Sequence, residues 1–168
     1  MSSLETFNAL PAELARRQLL ACCASDRWAE EIASGRPFAS AEEVLARSDA
    51  SVAALTQADL EQALAGHLRI GSAGADARSQ REQARVQAAD QAAIQALADG
   101  NEAYERRFGH IYLVCATGRN AADLLALLHQ RLDHGPATEW EVVRTELAQI
   151  NQLRLRTYLE APSERETQ

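Results

Sequence analysis

The residues best suited to chemistry lie between Gly66 and Gln83. His67 has a side chain that titrates near neutral pH, and the carboxylate of Glu82 lies in the same stretch. A histidine and a carboxylate in contact are sufficient for general acid–base catalysis. The stretch contains glycines and separates two predicted helices, and loops between rigid elements often carry catalytic groups. We therefore predict an acid–base site built on His67 and Glu82.

The same residues also fit structural roles. His67 follows a predicted helix C-terminus, where a histidine can hydrogen-bond the last free carbonyls. Ser79 and Glu82 have the S-x-x-E spacing of a capping box, in which each side chain satisfies a backbone donor of the other residue. Capping and catalysis are compatible, because a helix N-terminus also binds anions. The sequence leaves both roles open.

Arg154 interrupts an apolar stripe on the last predicted helix. The stripe follows helical spacing and consists of Trp140, Val143, Leu147, Ile150 and Tyr158. Arg156 points to the opposite side of the helix. A buried arginine needs an anionic or carbonyl partner, because its charge is costly to bury alone. Arg154 is therefore either part of a structural ion pair or a fork for a substrate carboxylate or carbonyl.

The elements that position these residues are predicted to be helices. Hydrophobic residues make up 46% of the chain and aromatic residues only 5%, so the core is rich in alanine and leucine, which favours helix over sheet. Helix starts are predicted from proline or capping residues at Asn8–Pro11, Ser25, Ser40, Thr56, Asn120 and Thr138. The result is an all-α protein, a single compact domain of about eight helices over residues 1–160, with a polar, disordered tail at 161–168.

Two stretches of the second half are harder to interpret. Gly100 is predicted to end an alanine-rich helix that begins near Ser79, with a short helix following from Asn101 to Arg107. His110 to Ala116 is apolar enough for a buried strand, but the sequence offers no second strand to pair with it. We interpret this stretch as helix or extended core.

Composition excludes several classes of function. The net charge is −7 and there is no basic stripe, which argues against nucleic acid and anionic membranes as partners. The cysteines Cys22, Cys23 and Cys115 lack metal or disulfide spacing, and no histidine has a second histidine or a cysteine one helical turn away, so we expect buried thiols and no metal. No apolar run reaches the roughly 18 residues of a membrane span, and the start lacks signal-peptide features. We predict a cytoplasmic location.

Eight stretches, in order, carry a resemblance to a known family. They are F-N-A-L-P (7–11), C-C-A-S-D-R-W-A (22–29), R-P-F (36–38), H-L-R-I-G (67–71), S-Q-R-E-Q (79–83), N-E-A-Y-E-R-R-F-G (101–109), V-C-A-T-G-R (114–119) and L-R-L (153–155). From Phe7 to about Leu159 the sequence resembles the OHCU decarboxylase family, which acts on 2-oxo-4-hydroxy-4-carboxy-5-ureidoimidazoline (OHCU) in urate degradation, a part of purine metabolism.

The resemblance implies an all-helical, cofactor-free carboxy-lyase that yields (S)-allantoin and is usually a homodimer. By position, His67 matches the catalytic histidine and Glu82 its carboxylate partner, which also contacts substrate. Arg154 matches an arginine that grips the ligand. The other implied contacts with the small-molecule substrate are Leu68, Ser79, Gln83 and the segment Val114, Cys115, Ala116, Thr117 and Gly118, whose backbone lines the pocket.

Two positions depart from the family pattern and keep alternatives open. Leu68 stands where the family usually has proline, which would stiffen the loop, and Arg85 stands where it usually has glycine. A divergent paralogue that acts on or binds another ureido or imidazoline acid is one alternative. A non-catalytic helical interaction module is another; it predicts that His67, Glu82 and Arg154 do not share a pocket.

Overall fold

The computed structural model describes residues 3–67, 69–70 and 91–161. The helices in these ranges are α1 (Ser3–Ala9), α2 (Ala12–Leu20), α3 (Asp26–Ser34), α4 (Ala41–Ala54), α5 (Gln57–Ala65), α6 (Gln91–Phe108), α7 (Ala121–Leu132) and α8 (Pro136–Glu160). No residue in the described ranges is in a strand. The predicted all-α class is confirmed. No described helix has the length and apolar character that a membrane crossing requires.

Local capping explains four of the predicted helix starts. In each case the side chain accepts a hydrogen bond from the backbone N–H three residues further on, and the capping residues are Ser25, Ser40, Thr56 and Asn120. Such caps satisfy donors that have no partner within the helix. The predicted helices that follow these four residues are confirmed.

The structure shifts two predicted helix starts by a few residues. Asn8 lies inside α1, a helix that the sequence did not indicate, and α2 begins only after Pro11. A seven-residue helix is too short to be stable alone, and α1 is held by Phe7, whose buried ring packs edge-on against Tyr158 at 5.7 Å. The last helix begins at Pro136 instead of Thr138, because proline already suits the first helical position.

Gly100 does not end a helix, which corrects a third prediction. Helix α6 continues through it from Gln91 to Phe108. A Cβ atom built on Gly100 would lie 2.9 Å from Cδ2 of Leu128, which is fully buried in α7. The glycine therefore permits close approach of α6 and α7. The predicted start of this helix near Ser79 lies outside the described residues.

Replacing Gly100 by alanine should destabilise the protein by about 1 kcal/mol, because the clash with Leu128 outweighs the gain of about 1 kcal/mol in helix propensity. Urea denaturation measures the change. In a Leu128→Ala background the clash is absent, and the same substitution should stabilise. A stabilising effect of Gly100→Ala in the wild-type background would contradict this account of the glycine.

The described residues fall into two compact units, Met1–Ala63 with Ala148–Gln168, and Leu64–Leu147. In the first unit Trp28 is fully buried and its Nε1–H donates to Oγ of Ser48 at 3.0 Å. In the second unit the rings of Tyr104 and Tyr112 pack 5.3 Å apart in a core that includes Leu124. A single domain over residues 1–160 stays a prediction, and tail residues 162–168 lie outside the described ranges.

Candidate functional site

His67 lies immediately beyond the C-terminus of α5, as the sequence predicts. Its backbone N–H donates to the carbonyl of Leu64 at 3.0 Å, which fixes the chain as it leaves the helix. The side chain is half-buried, and its ring Nε2 atom is shielded from solvent. A half-buried imidazole can donate or accept a proton near neutral pH.

The chain that follows His67 is attached to α6 at two points. The side-chain amide of Asn101 donates to the carbonyl of Ile70 at 3.1 Å, and this contact is buried. The guanidinium of Arg69 forms an ion pair with Glu105, with Nη2 donating to Oε2 at 2.8 Å. The hydrogen bond and charge of Arg69 lower the pKa of Glu105, so the carboxylate is ionised at neutral pH. Both contacts involve residues close to His67 in sequence.

Residues 111–116 are in neither a helix nor a strand, so the helical alternative for the stretch His110–Ala116 is wrong. Val114, Cys115 and Ala116 are buried, whereas Thr117 and Gly118 are exposed at a turn where Gly118 has φ +81°. A positive φ is natural for glycine and strained for other residues. The turn is the part of this segment that reaches the surface of the described chain.

A carboxylate holds this segment from α8. The backbone N–H of Cys115 donates to Oε2 of Glu146 at 2.7 Å, and Nη1 of Arg119 lies 3.6 Å from the same carboxylate oxygen. The N–H of Cys115 is therefore engaged within the protein. A ligand contact to this segment stays a prediction, and the Cys115 N–H is not available for one.

Arg154 is buried on α8, with 7% of its surface exposed. Its Nη1 donates to the carbonyl of Cys22 at 2.8 Å, which is the kind of partner that a buried arginine requires. Along the same stripe Val143, Leu147 and Ile150 are buried, while Arg156 is exposed. The predicted orientation of Arg154 into the protein is confirmed.

Asn151, one turn before Arg154 on α8, is a residue that the sequence analysis missed. It is fully buried, and neither polar atom of its amide has a hydrogen-bond partner among the described N and O atoms. The thiol of Cys23 lies beside it. Burial raises the pKa of Cys23, although the backbone of Ser25, the Asn151 amide and the Arg154 charge lower it. The thiol therefore stays protonated and is a poor nucleophile.

The prediction that the cysteines are buried is confirmed, since Cys22, Cys23 and Cys115 are all buried. Among the described residues no three His, Cys, Asp or Glu side chains gather where they could hold a metal ion.

The predicted site residues are distributed between the two units. His67 and the Val114–Gly118 segment belong to the unit Leu64–Leu147, whereas Arg154 belongs to the other unit. The remaining predicted residues lie outside the described ranges, and they are Leu68, Ser79, Glu82 and Gln83, together with the divergent Arg85. The roles of all these residues stay predictions.

The comparison with protein families settles the class of protein. The family model described as OHCU decarboxylase matches residues 8–156. Because this match spans most of the chain, the chain belongs to the OHCU decarboxylase family. The family predicted from the eight short stretches is thereby confirmed.

Two curated relatives carry the name of this enzyme. The chain is 29% identical over 137 residues to the 2-oxo-4-hydroxy-4-carboxy-5-ureidoimidazoline decarboxylase of Amia calva, covering 77% of this chain and 78% of that one. It is 26% identical over 130 residues to the protein of the same name from Haloferax volcanii, covering 76% and 77%. These names agree with the predicted enzyme class, a decarboxylating lyase.

A plant relative is longer than this chain. The uric acid degradation bifunctional protein TTL of Arabidopsis thaliana is 29% identical over 151 residues, which cover 85% of this chain. The chain spans only 47% of the length of that protein. The match therefore concerns one part of a bifunctional protein.

Solved structures confirm the fold. A crystal structure of OHCU decarboxylase in the presence of (S)-allantoin matches with a TM-score of 0.76 and 25% identity, covering 86% of this chain and 98% of that one. A crystal structure of (S)-allantoin synthase matches with a TM-score of 0.72 over 95% of this chain and 54% of that one. At 16% identity the second match supports the fold alone.

Proposed function

We propose that this protein decarboxylates 2-oxo-4-hydroxy-4-carboxy-5-ureidoimidazoline to (S)-allantoin in urate degradation, without a cofactor. The observation that carries the proposal is the family match over residues 8–156. The names of the Amia calva and Haloferax volcanii relatives support the substrate, and the solved relative studied with (S)-allantoin supports the product.

The reaction depends on how the protein positions the substrate, because the substrate can itself accept the electrons released on loss of CO2. Loss of CO2 leaves an electron pair on the ring carbon, and the conjugated C=N bond of the ring can accept it. The protein must hold the carboxylate out of the ring plane, exclude water and deliver one proton to one face. Fixed geometry of this kind lowers a reaction barrier by several kcal/mol.

His67 is the group proposed to move the proton. Its backbone is fixed at the end of α5 and its ring is half-buried, which suits transfer to one face of a bound ring. Glu82 is proposed to orient this imidazole and to bind polar ring or ureido groups. Leu68, Ser79 and Gln83 are proposed substrate contacts by their position in the family pattern.

Arg154 is proposed to anchor an anionic or carbonyl oxygen of the substrate. One of its N–H groups is bound to the Cys22 carbonyl, so the orientation of the guanidinium is already fixed before substrate arrives. Burial strengthens the attraction between this charge and a substrate oxygen. Among the segment Val114–Gly118, the exposed Thr117–Gly118 turn is the part proposed to reach the ligand.

Replacing Arg154 by lysine should lower kcat/KM by about 10- to 100-fold, because an ammonium group keeps the charge but loses the planar fork. Steady-state kinetics measure the effect, and Arg156→Lys is the matched control, since Arg156 lies two residues further on and is exposed. Equal kinetics of the two variants would show that the Arg154 fork does not bind substrate.

The function is tested by CO2 release. Urate oxidase and hydroxyisourate hydrolase generate the substrate in situ from urate, and the initial rate of CO2 release should increase in proportion to the amount of this protein. Binding of the substrate without CO2 release would favour the ligand-binding paralogue. Neither binding nor release would favour the interaction module.

We further propose a cytoplasmic homodimer. The support is the family resemblance, in which dimers are usual. Light scattering during size-exclusion chromatography gives the mass in solution, and twice the 18.3 kDa of one chain is expected. A mass of one chain at assay concentration would contradict the dimer.

A further inference from the structure

Two contacts hold the residues that follow His67 in the sequence. Neither contact takes part in the proton transfer proposed for His67. The buried hydrogen bond from Asn101 holds the carbonyl of Ile70, and Glu105 holds the guanidinium of Arg69. Asn101 and Glu105 are four residues apart on α6, so they lie on one face of that helix. One face of α6 therefore binds two consecutive residues of the loop, Arg69 and Ile70.

On its N-terminal side His67 is fixed by the end of α5. Its backbone N–H is bound to Leu64, and the next residue in the sequence, Leu68, is not a proline and has no ring to fix its φ. Arg69 and Ile70 are the next residues, and a few residues span only about 10 Å. Anchoring them restricts where His67 can lie.

The two contacts differ in character. Asn101 is 3% exposed, and its bond to Ile70 satisfies a backbone carbonyl inside the protein. The Arg69–Glu105 pair is more open, with 59% of the Arg69 side chain accessible. An exposed ion pair contributes little to global stability. Glu105 can therefore be changed without unfolding the protein.

We propose that Asn101 and Glu105 are positioning residues that clamp the loop after His67 and so place the imidazole for proton transfer. The inference rests on the proposed decarboxylation. A misplaced catalytic group lowers the rate of the chemical step more than the affinity for substrate. Loss of the clamp should therefore appear in kcat.

Glu105→Ala should lower kcat about tenfold with less than about a threefold change in KM. Asn101→Ala should lower kcat at least as much. The matched control is Glu102→Ala, since Glu102 lies on the same helix and pairs with Arg106 at 3.6 Å. The charge swap Arg69→Glu with Glu105→Arg should restore kcat to within about threefold of wild type, because the pair is rebuilt.

A second readout separates this inference from the proposed function. NMR chemical shifts of the His67 imidazole should move in Glu105→Ala and not in Glu102→Ala, whether or not OHCU is the substrate. Turnover by the wild type with unchanged kcat and His67 shifts in folded Glu105→Ala would overturn the clamp alone. An inactive wild type whose His67 shifts respond to Glu105→Ala would overturn the function and support the clamp.

Discussion

Replacing His67 by asparagine is expected to abolish turnover while leaving the fold intact. Asparagine retains a polar side chain of similar reach but cannot exchange a proton near neutral pH, and general acid–base catalysis contributes about 10²- to 10⁴-fold. The backbone bond from His67 to Leu64 does not depend on the side chain, so the end of α5 is preserved. Initial rates of CO2 release measure the effect, with far-UV circular dichroism as the check on folding.

The control for this substitution is His129→Asn. His129 is exposed on α7, so the same chemical change there should leave both turnover and stability unaltered. Near-normal activity of folded His67→Asn would remove His67 from the mechanism. Loss of activity in both variants would point to a general effect of the substitution.

The largest expected change in stability follows removal of Glu139, which is fully buried in α8. Its Oε1 accepts from Nε of Arg131 at 2.7 Å and from the hydroxyl of Tyr104, and its Oε2 lies 3.0 Å from Nδ1 of His134. Arg131 is itself 3% exposed and also donates to the Leu113 carbonyl at 2.6 Å. We call these four side chains, Tyr104, Arg131, His134 and Glu139, the Glu139 network.

Glu139→Ala should lower the free energy of unfolding by about 3–5 kcal/mol, because it leaves the Arg131 charge buried without its carboxylate. Urea denaturation measures the loss. Glu141→Ala is the control, since Glu141 is exposed and pairs with Arg144 at 3.7 Å; its effect should stay below about 1 kcal/mol. Similar losses for the two variants would contradict the role of the buried network.

A double substitution tests whether the loss of stability comes from the unpaired charge of Arg131. Arg131→Met with Glu139→Leu removes both charges together, so no buried charge is left unpaired. It should cost less stability than Glu139→Ala alone, because apolar pairs of similar volume often replace buried ion pairs without loss. A double variant that is less stable than Glu139→Ala would show that the network contributes more than charge pairing.

The sequence predicted the features that neighbouring residues determine. Ser25, Ser40 and Asn120 cap helices through bonds to a backbone N–H three residues away, so a short window contains the whole signal. The place of His67 follows from the end of α5 in the same way. Arg154 was recognised because helical periodicity shows which side of α8 it occupies.

The features that the sequence did not reveal depend on contacts between distant segments. Helix α1 is stabilised by packing of Phe7 on Tyr158. Glycine suits position 100 because the side chain of Leu128 lies close to it. A short sequence window around Phe7 does not include Tyr158, and one around Gly100 does not include Leu128. Gly100 in isolation resembles a helix terminator, and only the tertiary contact reveals its role in packing.

Buried polar partners are missed for the same reason. Glu105 and Glu139 are two of many acidic residues on predicted helices, and nothing local distinguishes the carboxylate that faces Arg69 or Arg131. The functional assignment needed the family resemblance, since proton-transfer chemistry alone does not specify a substrate.

The most direct test of the account is the stereochemistry of the product. Substrate is generated in situ from urate with urate oxidase and hydroxyisourate hydrolase, this protein is added, and circular dichroism follows the appearance of allantoin. The account predicts fast formation of (S)-allantoin as a single enantiomer, well ahead of the uncatalysed reaction. Slow formation of racemic allantoin at the background rate, with the protein folded, would contradict it.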